Sequence, residues 1–254
     1  MPRTGRTSNR KPRPSRRPGR PAAAGGVDQR QRILDTAIEL FAARGIAATT
    51  LRSIATEAGV TPALLHYYFE SKDTLVGVVL DERIAPFVAV SAAPLMAPLP
   101  SPRATLRRFL ETHMRNLAAN PWMPRLMARE VLSEGGRLRE HMQAQFSTVL
   151  SPKTLVLIVA AQRRGEIRDD LNPVLIGLSL ISLAVFPFAA APVWRAVAQS
   201  LAQMAPALGA AVKKLQSSAG GSSLAAVPQP DALIEHTLAL FDSALDPSHA
   251  KPKR

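Results

Sequence analysis

Between Asp28 and Ala43 apolar residues recur at three- and four-residue intervals. Ile33, Leu34, Ala37, Ile38 and Phe41 would share one side of an α-helix. Asp28 with Gln31 three residues on has the form of a capping box, and Gly45 closes the run. Two shorter periodic stretches come next. Ile54, Ala55 and Ala58 give the first an apolar face, Leu65 and Phe69 the second, and Val60 fills the corner after Gly59. Thr61-Pro62 marks a helix start, a hydroxyl cap followed by a proline where a missing N–H costs nothing. Short helix, glycine turn, short helix with an exposed leading edge is the helix-turn-helix arrangement that enters a DNA groove.

The same periodicity continues to the end of the chain. Ser71 is placed to cap a helix with Leu75, Val78, Val79 and Ile84 inward, ending near Ala85 or running to about Val90 with a kink at Pro86. Pro94, Pro98, Pro100 and Pro102 then mark a break. Further helices are expected over 104–119, 122–133, 137–164, 173–186 and 231–245, with Ser151-Pro152 kinking or splitting the third. No strand-length alternation or internal repeat stands out, so the chain reads as all-α. The expected divisions are a disordered basic arm (1–26), a helix-turn-helix domain (27–72), a helical ligand-binding and dimerisation domain (73–246) and a disordered basic tail (247–254). Residues 206–230, rich in Ala, Gly, Ser and Pro, read as a mobile loop. A three-helix unit of about 45 residues is too small to be comfortable alone, so it should lean on the helices C-terminal to it.

Charge adds to this picture. The 254 residues carry a net charge of +13, and eight basic residues with no acid precede Asp28. Such a balance points to polyanionic partners. The arm either wraps DNA phosphates or enters a minor groove, or it is a solvated tail adding only non-specific affinity. It has no apolar segment of the kind a secretory signal needs. Residues 171–194 hold no charge over a length that could cross a bilayer, but Pro187 and Pro192 would break the helix first. A buried packing or dimer helix is the better reading, and no membrane partner is expected. Cysteine is absent and the five histidines are scattered, which suits a reducing cytoplasm and leaves no metal-ligand spacing. No cofactor is expected. Neither a phosphate-binding glycine loop nor a nucleophile elbow is present, which argues against an enzyme.

The helix-turn-helix segment resembles that of the tetracycline-repressor (TetR) family of bacterial transcription regulators. Ala37, Leu40, Phe41, Gly45, Thr49-Thr50, Ile54, Ala55, Ala58, Gly59, Val60, Leu65, Tyr67, Phe69, Lys72 and Leu75 carry the likeness, which covers about a fifth of the chain. The resemblance implies a two-domain helical protomer dimerised through its C-terminal helices. It further implies a small-molecule pocket that controls the DNA-reading heads, and release from DNA when that molecule binds. Leu64 stands where many members have a polar residue, His66 and Tyr68 depart from the commoner pattern, and Pro62-Ala63 offers few hydrogen-bonding groups. Direct base readout should then be sparse, leaving more to phosphates, methyl groups and DNA shape.

These readings single out particular residues. On the DNA side are Thr50, capping the first helix of the motif, and Arg52 on its first turn. Thr61, Pro62, Ala63 and Leu64 form the leading end of the second helix, His66, Tyr67 and Tyr68 lie beyond it, and Lys72 would meet a phosphate. For a hydrophobic inducer the bulky and polar candidates are His113, Trp122, Met123, Met127, Arg129, Phe146, Phe186 and Trp194, all of which could equally be plain core. For a homodimer the seams would be Leu175, Leu178, Ile181 and Val185, and Leu233, Ile234, Leu238 and Phe241, unless both stripes face their own subunit. The function expected is a cytoplasmic, ligand-released repressor binding palindromic double-stranded operator DNA. The alternatives are a non-specific or architectural nucleic-acid binder and a small-molecule enzyme.

Overall fold

In a computed structural model, which describes residues 23–139, 152–200, 203 and 229–250, every regular element is helical. Helix α1 (Ala23–Arg44) buries the stripe Ile33, Leu34, Ala37, Ile38 and Phe41. It starts earlier than the sequence pattern predicts, taking in Ala23–Gly26 of the expected arm. Asp28 therefore lies inside the helix and caps nothing; it pairs with Arg32 one turn on, at 3.2 Å. α2 (Leu51–Glu57) and α3 (Pro62–Phe69) form the helix-turn-helix, and α4 (Lys72–Val79) is capped by Ser71 as expected.

Pro86 does not end the next helix. A π-helical segment, Leu80–Ile84, joins α4 to α5 (Ala85–Met96), with the Ala85 N–H bonded back to the Leu80 carbonyl. Pro86 has no N–H to offer the Glu82 carbonyl, and the Arg83 guanidinium takes it at 3.1 Å. The rod thus runs past Val90 and through Pro94, and the predicted break falls at Ala97 instead.

α6 (Pro102–Ala119) is the hub. Leu106, Leu110, Met114 and Leu117 are fully buried along one stripe, and Phe109 and His113 along its edge. Around it pack α5, α8 (Pro152–Arg163), α9 (Pro173–Ala189) and α11 (Pro230–Ala244). α7 (Trp122–Met127) continues as a second π-helical segment, Ala128–Leu132, and lies against α1. α9 bends by 58° into α10 (Ala191–Ser200), where Pro187 and Pro192 each remove a helical rung. Among the described residues no single helix is long and apolar enough to cross a membrane. The tail is not irregular throughout, since Pro247–His249 forms a 3₁₀ turn capped by Asp246.

Two cores result. One joins α6, α8, α9 and α11; the other runs from Ile33 through α2–α5 to Trp122, Met123, Leu126, Met127 and Leu138. The three-helix head therefore does lean on the C-terminal helices, and its core continues into α7. The expected loop 206–230 lies outside the described residues up to 228, Pro230 already begins α11, and most of the arm also lies outside them.

Candidate nucleic-acid interface

Local hydrogen bonding fixes the two helices of the motif. Thr50 and Ser53 close a reciprocal capping box: the Ser53 N–H donates to the Thr50 hydroxyl at 3.0 Å, and the Thr50 N–H to the Ser53 hydroxyl at 3.1 Å. At the other end of α2, Gly59 at φ +66° lets its own N–H reach Thr56 and the Val60 N–H reach Ala55, a Schellman stop. Thr61 then caps α3 by accepting from the Leu64 N–H at 3.2 Å, with Pro62 in the first turn.

That geometry sorts the side chains of α3 by face. Leu65 and Phe69 are buried in the core. Thr61, Pro62, Ala63, His66 and Tyr67 are exposed, Tyr67 by 79 %. Leu64 and Tyr68 are half-buried, and the Tyr68 ring meets that of Tyr67 edge-on at 5.3 Å. Arg52 stands exposed on the first turn of α2 and borders a shallow cleft with Leu51, Pro62, Leu65 and His66. Lys72 differs from the free point charge its position predicts. It is half-buried, and its ammonium donates to the Ala47 carbonyl at 3.3 Å. Burial, with Arg137 nearby, holds its pKa below the ordinary lysine value.

Side-chain pairs brace this head against the rod. Arg30 on α1 makes a bidentate contact with Glu82 at 2.7 and 2.5 Å, and its guanidinium lies 5.5 Å from the Phe69 ring centre. The hydrogen bond raises the Arg30 pKa and lowers that of Glu82. Arg83 reaches back to Asp35 at 2.8 Å and Gln31 at 2.6 Å. None of these pairs is visible in the sequence, because the partners lie about 50 residues apart.

The predicted ligand residues divide. His113, Trp122, Met123 and Met127 are buried. His113 sits between Phe109, stacked at 5.9 Å, and Phe87, edge-on at 6.1 Å, and Phe87 in turn meets Trp122. Its Nδ1 has no hydrogen-bond partner among the described residues, and burial pushes its pKa down to about 4, so it is neutral at pH 7. Arg129 is exposed on the π turn, and Phe146 lies outside the described residues. Phe186 and Trp194 do not join the cluster: they are 60 % and 47 % exposed, because the outward half of α9 and the bend into α10 carry them to the surface. Phe87 and Phe109 do join it, although in the sequence they look like ordinary stripe residues.

The dimer seams also need correcting. Leu175 and Leu178 are exposed as a seam requires, but Ile181 and Val185 lie on the flank of α9 that packs on their own subunit. Ile234, Leu238 and Phe241 are buried in the α6–α9–α11 core, with Leu233 packed against it. The outward apolar face consists of Val174, Leu175, Leu178, Leu183 and Phe186, and it borders a groove against Leu240 of α11.

Residues 33–79 match the family model described as "Bacterial regulatory proteins, tetR family", and residues 102–213 match "Tetracyclin repressor-like, C-terminal domain". The chain belongs to the TetR family. Among its relatives is the HTH-type transcriptional repressor KstR2 of Rhodococcus jostii, 27% identical over 153 residues, 59% of this chain and 72% of that protein. Its fold is that of the TetR-family regulator PfmR of Thermus thermophilus, with a TM-score of 0.59 at 19% identity over 89% of this chain and 98% of that one. FadR of Bacillus subtilis, solved in complex with stearoyl-CoA, superposes with a TM-score of 0.54 at 16% identity over 85% and 99% of the two chains. This TetR-family protein is accordingly a DNA-binding transcription regulator and not an enzyme. The first match takes in the helix-turn-helix and α4, and the second begins at α6; α1–α3 make up the head and the later helices the body.

Proposed function

We propose that this regulator is a homodimeric repressor that binds a roughly palindromic operator and is released by a hydrophobic small molecule. The observation that carries the reading is the sorting of α3, which turns Thr61, Pro62, Ala63, His66 and Tyr67 outward from a helix anchored by Leu65 and Phe69. Ala63 and Tyr67 offer contacts to thymine methyls and sugar edges, and Arg52 with the capped start of α2 meets phosphate. Lys72 adds cationic charge beside them. The apolar outward face of α9 supports pairing with a second copy, which would set two recognition helices about 34–36 Å apart or a multiple of that. A hydrophobic ligand is supported by the buried aromatic cluster around His113 and by the stearoyl-CoA bound to FadR. A DNA-binding regulator without cysteine fits the cytoplasm.

Footprinting of the full chain on its own upstream DNA, at physiological salt with competitor DNA, tests the proposal. A protected, roughly palindromic site is expected, with preference over random sequence of about 10³–10⁷. Uniform binding that vanishes as salt rises would instead make this a non-specific binder led by its basic arm.

A further inference from the structure

The head meets the regulatory body at a buried polar contact that plays no part in the DNA-binding or ligand-binding reading. Glu130 lies in the π turn after α7 and is 4 % exposed, yet no cation pairs with it among the described residues. Its two carboxylate oxygens are spent on backbone amides. Oε1 accepts from the Ile46 N–H at 2.8 Å, across 84 residues of sequence, and Oε2 accepts from the Arg137 N–H at 3.0 Å. The Glu130 carbonyl itself accepts from the Leu138 N–H at 3.2 Å. One side chain thus ties the loop 133–138 of the body to the turn between α1 and α2 of the head.

Both sides are shaped around Glu130, one to its carboxylate and the other to its backbone. Gly45 is at φ +87°, and a Cβ there would stand 3.0 Å from Glu130 Oε1. At Gly136 a Cβ would come within 2.2 Å of the Glu130 carbonyl oxygen, closer than any side chain permits. The turn it grips is stiff and short. The Thr49 hydroxyl donates to the Gly45 carbonyl at 2.7 Å, Lys72 holds Ala47, and Thr50 already caps α2. The capping threonine comes only one helical turn's worth of chain after Ile46. A displacement of the Ile46 amide therefore passes directly into the attitude of α2 and, through the Gly59 stop, of α3.

We infer that Glu130 is the positioning residue of the DNA-reading head: it is the strut by which the regulatory body sets the angle at which α2 and α3 meet DNA. The inference rests on the repressor reading for its role in operator binding, but not for its structural half. A buried carboxylate that satisfies two amides of separate elements fixes their relative position, since moving either element leaves a buried N–H without a partner.

Glu130→Gln is nearly isosteric but presents one acceptor and one NH2 group, so it can serve only one of the two amides. Gly136→Ala attacks the same contact from the other side. Leu106→Ala, which opens a cavity in the separate core of α6, α8, α9 and α11, is the matched control for simple destabilisation. Two measurements on the full-length variants decide the matter. Amide hydrogen exchange should show faster exchange at Ile46 and along α2–α3 in Glu130→Gln and Gly136→Ala, with α6 unchanged. Affinity for the footprinted operator should fall about 10-fold in both, with binding to a random duplex unchanged. Leu106→Ala, at equal loss of thermal stability, should keep the operator preference. Wild-type protection at Ile46 and α2–α3 in both variants would overturn the inference whether or not an operator is found. So would an equal loss of operator binding in Leu106→Ala. A wild-type protein that shows no operator preference would defeat the repressor reading alone, and the exchange data would still judge the strut.

Discussion

Replacing His113 by leucine should flatten the acid side of the stability profile. His113 is 4 % exposed between two phenylalanine rings, and its pKa falls from 6.5 to about 4. The displacement corresponds to about 3 kcal/mol, at roughly 1.4 kcal/mol per unit of pKa. The sign follows from proton counting. Between pH 6.5 and 4 the unfolded chain binds a proton at His113 that the folded chain refuses, so stability is complete above 6.5 and is lost as pH falls toward 4. From pH 7.5 to pH 5 this residue alone should cost the wild type about 2 kcal/mol, or roughly 0.7–1 M in urea midpoint.

The assay is urea unfolding of wild type and His113→Leu at pH 7.5, 6, 5 and 4.5, at one protein concentration because a dimer's stability depends on it. His66, His141, His236 and His249 are present in both proteins, so the difference between the curves isolates His113. At pH 7.5 the variant should be at least as stable as the wild type: an unpaired buried nitrogen costs about 1–3 kcal/mol, offsetting the lost stacking on Phe109. Toward pH 5 the gap should widen in the variant's favour by about 2 kcal/mol. Parallel curves would refute the reasoning, since they would mean that His113 finds a proton partner or solvent in the folded state.

Tyr67→Ala should weaken operator binding by about 1–3 kcal/mol while leaving the unfolding midpoint unchanged, read by fluorescence anisotropy and thermal denaturation, because a side chain 79 % exposed contributes little to the core. Thr61→Ala removes the cap of α3 and should cost about 1 kcal/mol of stability, with a matching loss of helical order at Pro62–Leu64 by hydrogen exchange. Leu178→Asp puts a charge on the outward face of α9 without touching its buried side. It should leave helicity intact and yield monomers in sedimentation velocity, and an unchanged sedimentation coefficient would rule this face out as the interface.

The head is legible in the sequence because its signals are local. Caps at Thr50, Thr61 and Ser71 and the turn at Gly59 each depend on residues three or four apart, and all appear where the pattern puts them. Pro86 misleads because proline reads as a helix breaker, whereas the π turn before it and the Arg83 side chain absorb the lost hydrogen bond. Periodicity locates the apolar stripes of α9 and α11 but not their partners. Ile234, Leu238 and Phe241 make the same pattern whether they face their own subunit or another, and only the position of α6 decides it. The ligand candidates suffer likewise: bulk and aromaticity select Phe186 and Trp194 alongside the buried Trp122, although Phe186 faces outward on α9 and Trp194 lies at the surface beyond the bend after Ala189. Nothing in the sequence connects Glu130 to Ile46, 84 residues away.

The head of this regulator is a functional unit without a core of its own. Phe41, Ile33 and Leu34 belong to the same buried cluster as Trp122, Met123, Leu126 and Met127 of the body, and α1 packs on α7 as well as on α2 and α4. Domains that respond as independent bodies are joined where few contacts cross. Here apolar packing crosses freely, and polar ties flank it, among them Arg30 to Glu82 at the rod and Glu130 to Ile46 at the turn. Interiors are close-packed and cannot deform continuously, so a change in α7 is either absorbed within the body or passed to α1 as a whole. The aromatic cluster around His113 reaches Trp122, the first residue of α7, through Phe87. A molecule that parted these rings would press on α7, and the Glu130 strut at the end of that helix would carry the push to the turn before α2.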